Sequence, residues 1–183
     1  MSARDGGGRL PAYLTASLAV ALASAASGPA SAVEVLRYDF QGAAAICQPA
    51  KGEYAEKLRS RPLALANEGT TPAFVSCALR GDPRPGGRGA MKVLAEVGSV
   101  TGLTGTVTCT FVDGYQQGAT VDAVYRPKTA LVFPASRGVA LTWQPVEIAG
   151  NPEHIFRPAL QCMLGPGTAL HYIAITYDED IGS

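Results

Sequence analysis

GTVTCTFVDG, residues 105–114, alternates with a period of two: Thr106, Thr108 and Thr110 fall on one side of an extended chain, and Val107, Cys109 and Phe111 on the other. Side chains at i and i+2 share a face of a strand, so this segment presents one polar and one apolar row. The cysteine stands in the apolar row. The other three cysteines keep similar company two residues away: Cys77 has Val75 and Leu79, Cys162 has Leu160 and Leu164, and Cys47 has Ala45 and Pro49. All four thiols are expected on the buried side of their strands, where they can bridge neighbouring strands or opposed sheets if their Cα atoms come within ~7 Å.

Segments of the same character recur along the chain. Residues 63–66, 73–79, 91–97, 106–112, 119–125, 129–133, 138–143, 155–164 and 170–177 are rich in Val, Ile, Thr, Tyr or Phe, or are bounded by Gly, Pro, Asn or Asp, as strands tend to be. Asp113-Gly114 reads as a turn, and residues 53–59 as a single helical turn too short to stand alone. Many short strands without helices between them imply two antiparallel sheets packed face to face, an all-β sandwich of jelly-roll type. No internal repeat or compositional break marks a second domain.

The first residues carry a different pattern. Between Leu10 and Val33 there is no charge; Arg4 and Arg9 precede this run, and it closes on Ala30-Ser31-Ala32. That order of positive start, apolar middle and small residues is a secretory signal peptide, expected to be cleaved after Ala32. A membrane anchor is the competing reading, but Pro11, Gly28, Pro29 and a middle of Ala and Ser suit a bilayer poorly. Cleavage leaves residues 33–183 as one domain without a membrane span, large enough to bury roughly 70% of its unfolded surface. Its 13 basic and 14 acidic side chains nearly balance, which gives no reason to expect nucleic acid or an anionic membrane as partner. The basic groups Lys57, Arg59 and Arg61, and Arg80, Arg84 and Arg88, read as solvated surface.

An even number of cysteines behind an export signal reads as disulfides, because the destination, periplasmic or secreted, is oxidising. Zinc sites space their cysteines two to four residues apart, whereas these are 30, 32 and 53 apart. Of the three possible connectivities, Cys47–Cys77 with Cys109–Cys162 is favoured. The first closes a loop around residues 57–61, and the second joins two strongly strand-like rows. Each closure is worth roughly 4 kcal/mol by chain entropy.

Taken together, Cys47-Gln48-Pro49, the turn Asn67-Glu68-Gly69-Thr70, VSCAL at 75–79, VTCTF at 107–111, CMLGPGT at 162–168 and the TYDEDIG ending at 176–182 resemble a group of uncharacterised secreted bacterial proteins with four cysteines. The similarity covers most of the chain after Cys47. In that group a Leu-Pro-Pro-Gly turn commonly follows the last cysteine; here Gly165 stands where the first proline would be. The resemblance implies export, an all-β sandwich and disulfides, and it brings no catalytic residue and no ligand.

Catalytic constellations are sparse. Nucleophilic catalysis needs a hydroxyl or thiol beside a base, and the only histidines are His154, in a loop after Asn151-Pro152-Glu153, and His171, in a row with Ile173, Ile175 and Tyr177. Gly98-Ser99-Val100-Thr101-Gly102 has its serine in the wrong place for a nucleophile elbow. Asp178, Glu179 and Asp180 are the one acidic cluster, and near the chain end they read as a solvated tail. Trp143 shares a row with Val139 and Leu141 and belongs to the core, while Tyr115 is the better candidate for an exposed aromatic. The loop GDPRPGGRG at 81–89 exposes Arg84 and Arg88 and, with Tyr115, forms the candidate binding surface. No catalytic residue, metal or cofactor is expected. The reading that follows is a non-enzymatic exported module that binds a glycan or protein of the cell envelope through its loops. A structural component joined through edge strands is the alternative, and an extracytoplasmic hydrolase the third.

Overall fold

The computed structural model describes residues 34–81, 89–134, 138–148 and 154–180. The expected signal peptide, residues 1–32, lies outside them. Among the described residues the chain forms β1 (Glu34–Gly42), a four-residue helix α1 (Ala43–Ile46), β2 (Cys47–Pro49), β3 (Leu58–Arg61), β4 (Ala64–Asn67), β5 (Ala73–Ala78), β6 (Lys92–Ser99), β7 (Gly105–Gln117), β8 (Thr120–Val132), β9 (Val139–Trp143), β10 (Pro158–Leu164) and β11 (Thr168–Asp180). They make two antiparallel sheets. Sheet A runs β3-β4-β11-β6-β9, with β1 also on β11, and sheet B runs β2-β5-β10-β7-β8. The chain passes between the sheets at each step from β4 to β7 and from β8 to β11. The pairs β4–β11, β6–β11, β5–β10 and β7–β10 that result are the winding of a jelly roll.

The alternation of the opening stretch becomes burial. Val107, Cys109 and Phe111 of β7 are fully buried, and their row meets Val75 of β5 and Leu160, Cys162 and Leu164 of β10 on the inner face of sheet B. Sheet A answers with Val93, Ala95 and Val97 of β6, Trp143 of β9 and Ile173 and Ile175 of β11. Each large apolar side chain taken from water stabilises the fold by ~1.5–3 kcal/mol. Across the layers Phe111 stacks on Trp143 with centroids 5.7 Å apart, and the indole N–H donates to the Arg126 carbonyl at 2.8 Å. That bond satisfies the one polar atom of a fully buried ring.

Both expected disulfides are present. Cys47 lies directly opposite Cys77 in the β2–β5 ladder, and Cys109 opposite Cys162 in the β7–β10 ladder, each with Cα atoms 4.0 Å apart. Both therefore join neighbouring strands of sheet B, and neither crosses between the layers. Two disulfides fit an oxidising compartment. Among the described residues no helix is long and apolar enough to cross a membrane.

Several local expectations are corrected. Residues 53–59 form a 3-10 turn over Gly52–Tyr54 and then enter β3, whose Leu58 is buried. The Asp113-Gly114 pair is no turn: the β7–β8 ladder runs through it, and the chain reverses between Gln117 and Thr120, where Gly118 has φ 59°. The two segments expected at 119–125 and 129–133 are one strand, β8, in which Pro127 is tolerated because β8 is an edge strand needing no donor on its outer side. The acidic cluster is not a free tail. Asp178 and Glu179 belong to β11, paired in register with Leu36 and Val35 of β1, and Arg37 donates to Glu179 at 2.5 Å.

Candidate functional site

β11 receives two strands end to end on one edge. β4 pairs Leu65 and Ala66 with Leu170 and Ala169, and β1 takes over at Gly42 opposite Tyr172. At the junction stands His171. On the other edge Leu170 faces Val97 and Tyr172 faces Glu96, so His171 is an extra residue, a β-bulge against β6. Leu170 and Ile173 both stay fully buried on the core side, and the bulge takes up the missing half-period. His171 is thereby removed from the core row expected for it and turned to the outer face of sheet A. A Cβ on Gly98 would come within 2.6 Å of its Nε2, so the absent side chain of Gly98 is the space the imidazole occupies.

Around the bulge lies a groove of about 670 Å³ on the outer face of sheet A. One wall is aromatic: Phe40 of β1, 65% exposed, and half-buried Tyr172 stand with ring centroids 5.6 Å apart at 59°. Pro62 and Leu63, the β3–β4 turn, form an apolar lip. The floor is polar, with Glu96, His171 and Ser99 over Gly98 and Gly138. Gly138, at φ 79°, lies where any Cβ would meet Glu96 Oε1 at 2.3 Å, so the carboxylate reaches across toward the start of β9. Ser99 donates its hydroxyl to the Leu103 carbonyl at 2.6 Å and keeps acceptor capacity. The side chains of Glu96 and His171, both half-buried, make no hydrogen bond or ion pair with the described residues. No Lys or Arg of the described residues lines the groove. Aromatic faces suited to C–H surfaces, beside a carboxylate, an imidazole and a hydroxyl, suit a ligand that is apolar on its faces and rich in hydroxyls on its rim.

The binding surface expected from the sequence is not this one. Arg84 and Arg88 lie outside the described residues. Tyr115 sits near the tip of the β7–β8 hairpin, opposite Asp122 and on the other sheet, and the Arg157 guanidinium covers one face of its ring at 4.4 Å. Trp143 is in the core, as its row implies. His154 is half-buried beside the Ala90–Ile155 bridge, apart from the groove-lining residues. Ser99 of the sequence Gly98-Ser99-Val100-Thr101-Gly102 reaches the groove as a lining residue on β6. At the β8–β9 side, Lys128 bridges Glu147 at 2.5 Å. Burial would raise the Glu147 pKa, but hydrogen bonds from Lys128 and the Gln144 N–H, with the charges of Lys128 and Arg126, outweigh it and hold the carboxyl below its ordinary value near 4.5.

Phe40, Tyr172 and Glu96 were not singled out by the sequence reading. The signal for Phe40 was available: Leu36, Tyr38 and Phe40 alternate with Arg37, Asp39 and Gln41, a strand pattern with its apolar row turned outward. No protein-family model matches the chain, and no curated protein matches it. Among solved structures it is similar to TmCBM61 in complex with beta-1,4-galactotriose, at 9% identity and TM-score 0.35 over 78% of this chain and 88% of that one. It is also similar to the family 11 carbohydrate-binding module from Clostridium thermocellum in complex with a beta-1,3-1,4-mixed-linked tetrasaccharide, at 13% identity and TM-score 0.30 over 78% and 86% of the two chains. The family 11 module of the Clostridium thermocellum cellulosomal cellulase Lic26A-Cel5E is matched at 13% identity and TM-score 0.27, over 86% and 91%.

Proposed function

We propose that this protein is a non-catalytic glycan-binding module that works outside the cytoplasm, at the cell envelope, and takes a short run of neutral sugar in the groove on sheet A. The observation that carries this reading is the Glu96 and His171 side chains, engaged by no described residue, facing an aromatic wall of Phe40 and Tyr172. Sugar C–H faces lie against the rings, and sugar hydroxyls share the carboxylate and imidazole. Hydrolysis fits less well, because glycosidases generally place two carboxylates across the scissile bond, and Glu96 is the one carboxylate among the described lining residues. We also propose that the chain is one of the secreted bacterial four-cysteine proteins it resembles.

Affinity electrophoresis through a panel of soluble envelope and extracellular polysaccharides tests the reading. At least one polysaccharide is expected to retard the protein, and Glu96→Ala and Tyr172→Ala to weaken that retardation at least tenfold, the equivalent of ~1.4 kcal/mol each. Free migration through every polysaccharide, or retardation that neither change alters, overturns it.

A further inference from the structure

β1 is a strand with one partner. It pairs with β11 along its whole length, from Glu34 opposite Asp180 to Gly42 opposite Tyr172, without a register shift, and no described strand covers its other edge. Natural edges are blunted by proline, charged side chains, bulges or short length, and the central charges of β1, Arg37 and Asp39, are of opposite sign and two residues apart, so that they match a reversed copy instead of repelling it. Three of the other edges show such devices: β8 carries Pro127 and Lys128, β2 has three residues and ends at Pro49, and β3 has four residues with Arg59 and Arg61, while the fourth, β9, has five residues, VALTW. β1 has nine residues with no proline and no lysine.

Its faces are also inverted. Leu36, Tyr38 and Phe40 lie opposite Asp178, Thr176 and Ala174, while Ile173 and Ile175 of β11 face the core, so this apolar row points outward and is 48%, 56% and 65% exposed. The inward row, Arg37, Asp39 and Gln41, is polar. Gln41 uses its amide to hold both the N–H and the carbonyl of Arg80, at 3.0 and 3.2 Å.

Reversed about Tyr38, the strand is complementary to itself. Leu36 falls opposite Phe40, Tyr38 opposite Tyr38, and Arg37 opposite Asp39. A slip of one residue sets the apolar row against the polar one. Centring on Arg37 or on Asp39 instead opposes like charges across the axis. We propose that two copies of this chain join edge to edge through β1, antiparallel about a two-fold axis at Tyr38, so that the two copies of sheet A become one continuous sheet. The contact is isologous and closes on itself, as two-fold interfaces do. Arg37 engages Glu179 through Nε only and has further guanidinium donors for the partner copy's Asp39, which holds Gln41 through Oδ2 and keeps Oδ1 open. The outer faces of the joined sheets stay uncovered, so both grooves remain open on the same side.

Sedimentation velocity of the purified protein over a wide concentration range tests this. A monomer–dimer equilibrium is expected, weakened at least tenfold by Arg37→Asp and by Asp39→Arg, each of which opposes like charges twice across the axis. The double variant Arg37→Asp/Asp39→Arg, and a one-to-one mixture of the two single variants, are expected to recover dimer, which a merely misfolded variant would not do. A strict monomer at every concentration overturns the proposal. So does a dimer indifferent to all these changes, which would place the interface elsewhere.

Discussion

Gly98 has no side chain because the volume above it belongs to His171. An alanine there would press on the far end of the imidazole and not on backbone, so the cost falls on ring position rather than on the fold. Gly98→Ala is therefore expected to unfold within ~1 kcal/mol of the parent and yet to lose most of the polysaccharide retardation, read by thermal unfolding and affinity electrophoresis on the same preparation. Glu147 makes the opposite kind of contribution, to stability and not to the groove. Its pKa is lowered in the folded chain, so the stability it confers is fully present above its ordinary value near 4.5 and disappears as the pH falls through the folded value. Glu147→Gln is expected to be less stable than the parent at neutral pH and to match it once the pH is well below the lowered folded value, in denaturant melts run at both pH values.

At the scale of elements, what could be read from the sequence is what local rules determine. The β7 rows, the cysteine environments and the Trp143 row follow from period-two burial, and they specify two sheets around one core. The turn after β10 is similarly legible: Gly165-Pro166-Gly167-Thr168 has proline then glycine at its centre, Gly167 takes φ 71°, and the Thr168 N–H closes on the Gly165 carbonyl at 3.2 Å. The Gly165 N–H donates to the Thr106 carbonyl at 3.1 Å, a bond a proline at this position could not make. The misreadings have physical causes too. Pro127 looks like a strand break unless the strand is known to lie at an edge. β1 hides because its apolar row faces solvent. The His171 bulge depends on how β4 and β1 share one edge of β11, which no single segment encodes, and the groove follows from that bulge.

Considered as a whole, the molecule has one laced layer and one unlaced layer, since both disulfides lie in sheet B while sheet A carries the groove and the open edge. The two staples differ in depth. Cys109 and Cys162 are fully buried on the central strands β7 and β10, whereas Cys47 is half-buried on the short edge strand β2. Stepwise reduction followed by alkylation and peptide mass analysis is expected to open Cys47–Cys77 first. Removing Cys47–Cys77 by paired alanines should destabilise by ~4 kcal/mol and removing Cys109–Cys162 by more, ~5 kcal/mol, because the two closures are of similar entropic worth and the fully buried pair also leaves a void at the centre of the core. The pairing of β1 with β11 has a consequence in time. Residues 34–42 find their ladder partners only at 172–180, so the contact of longest sequence separation completes sheet A, and such closures are slow. A chain emerging N-terminus first from a ribosome cannot finish this layer until residues 172–180 have appeared.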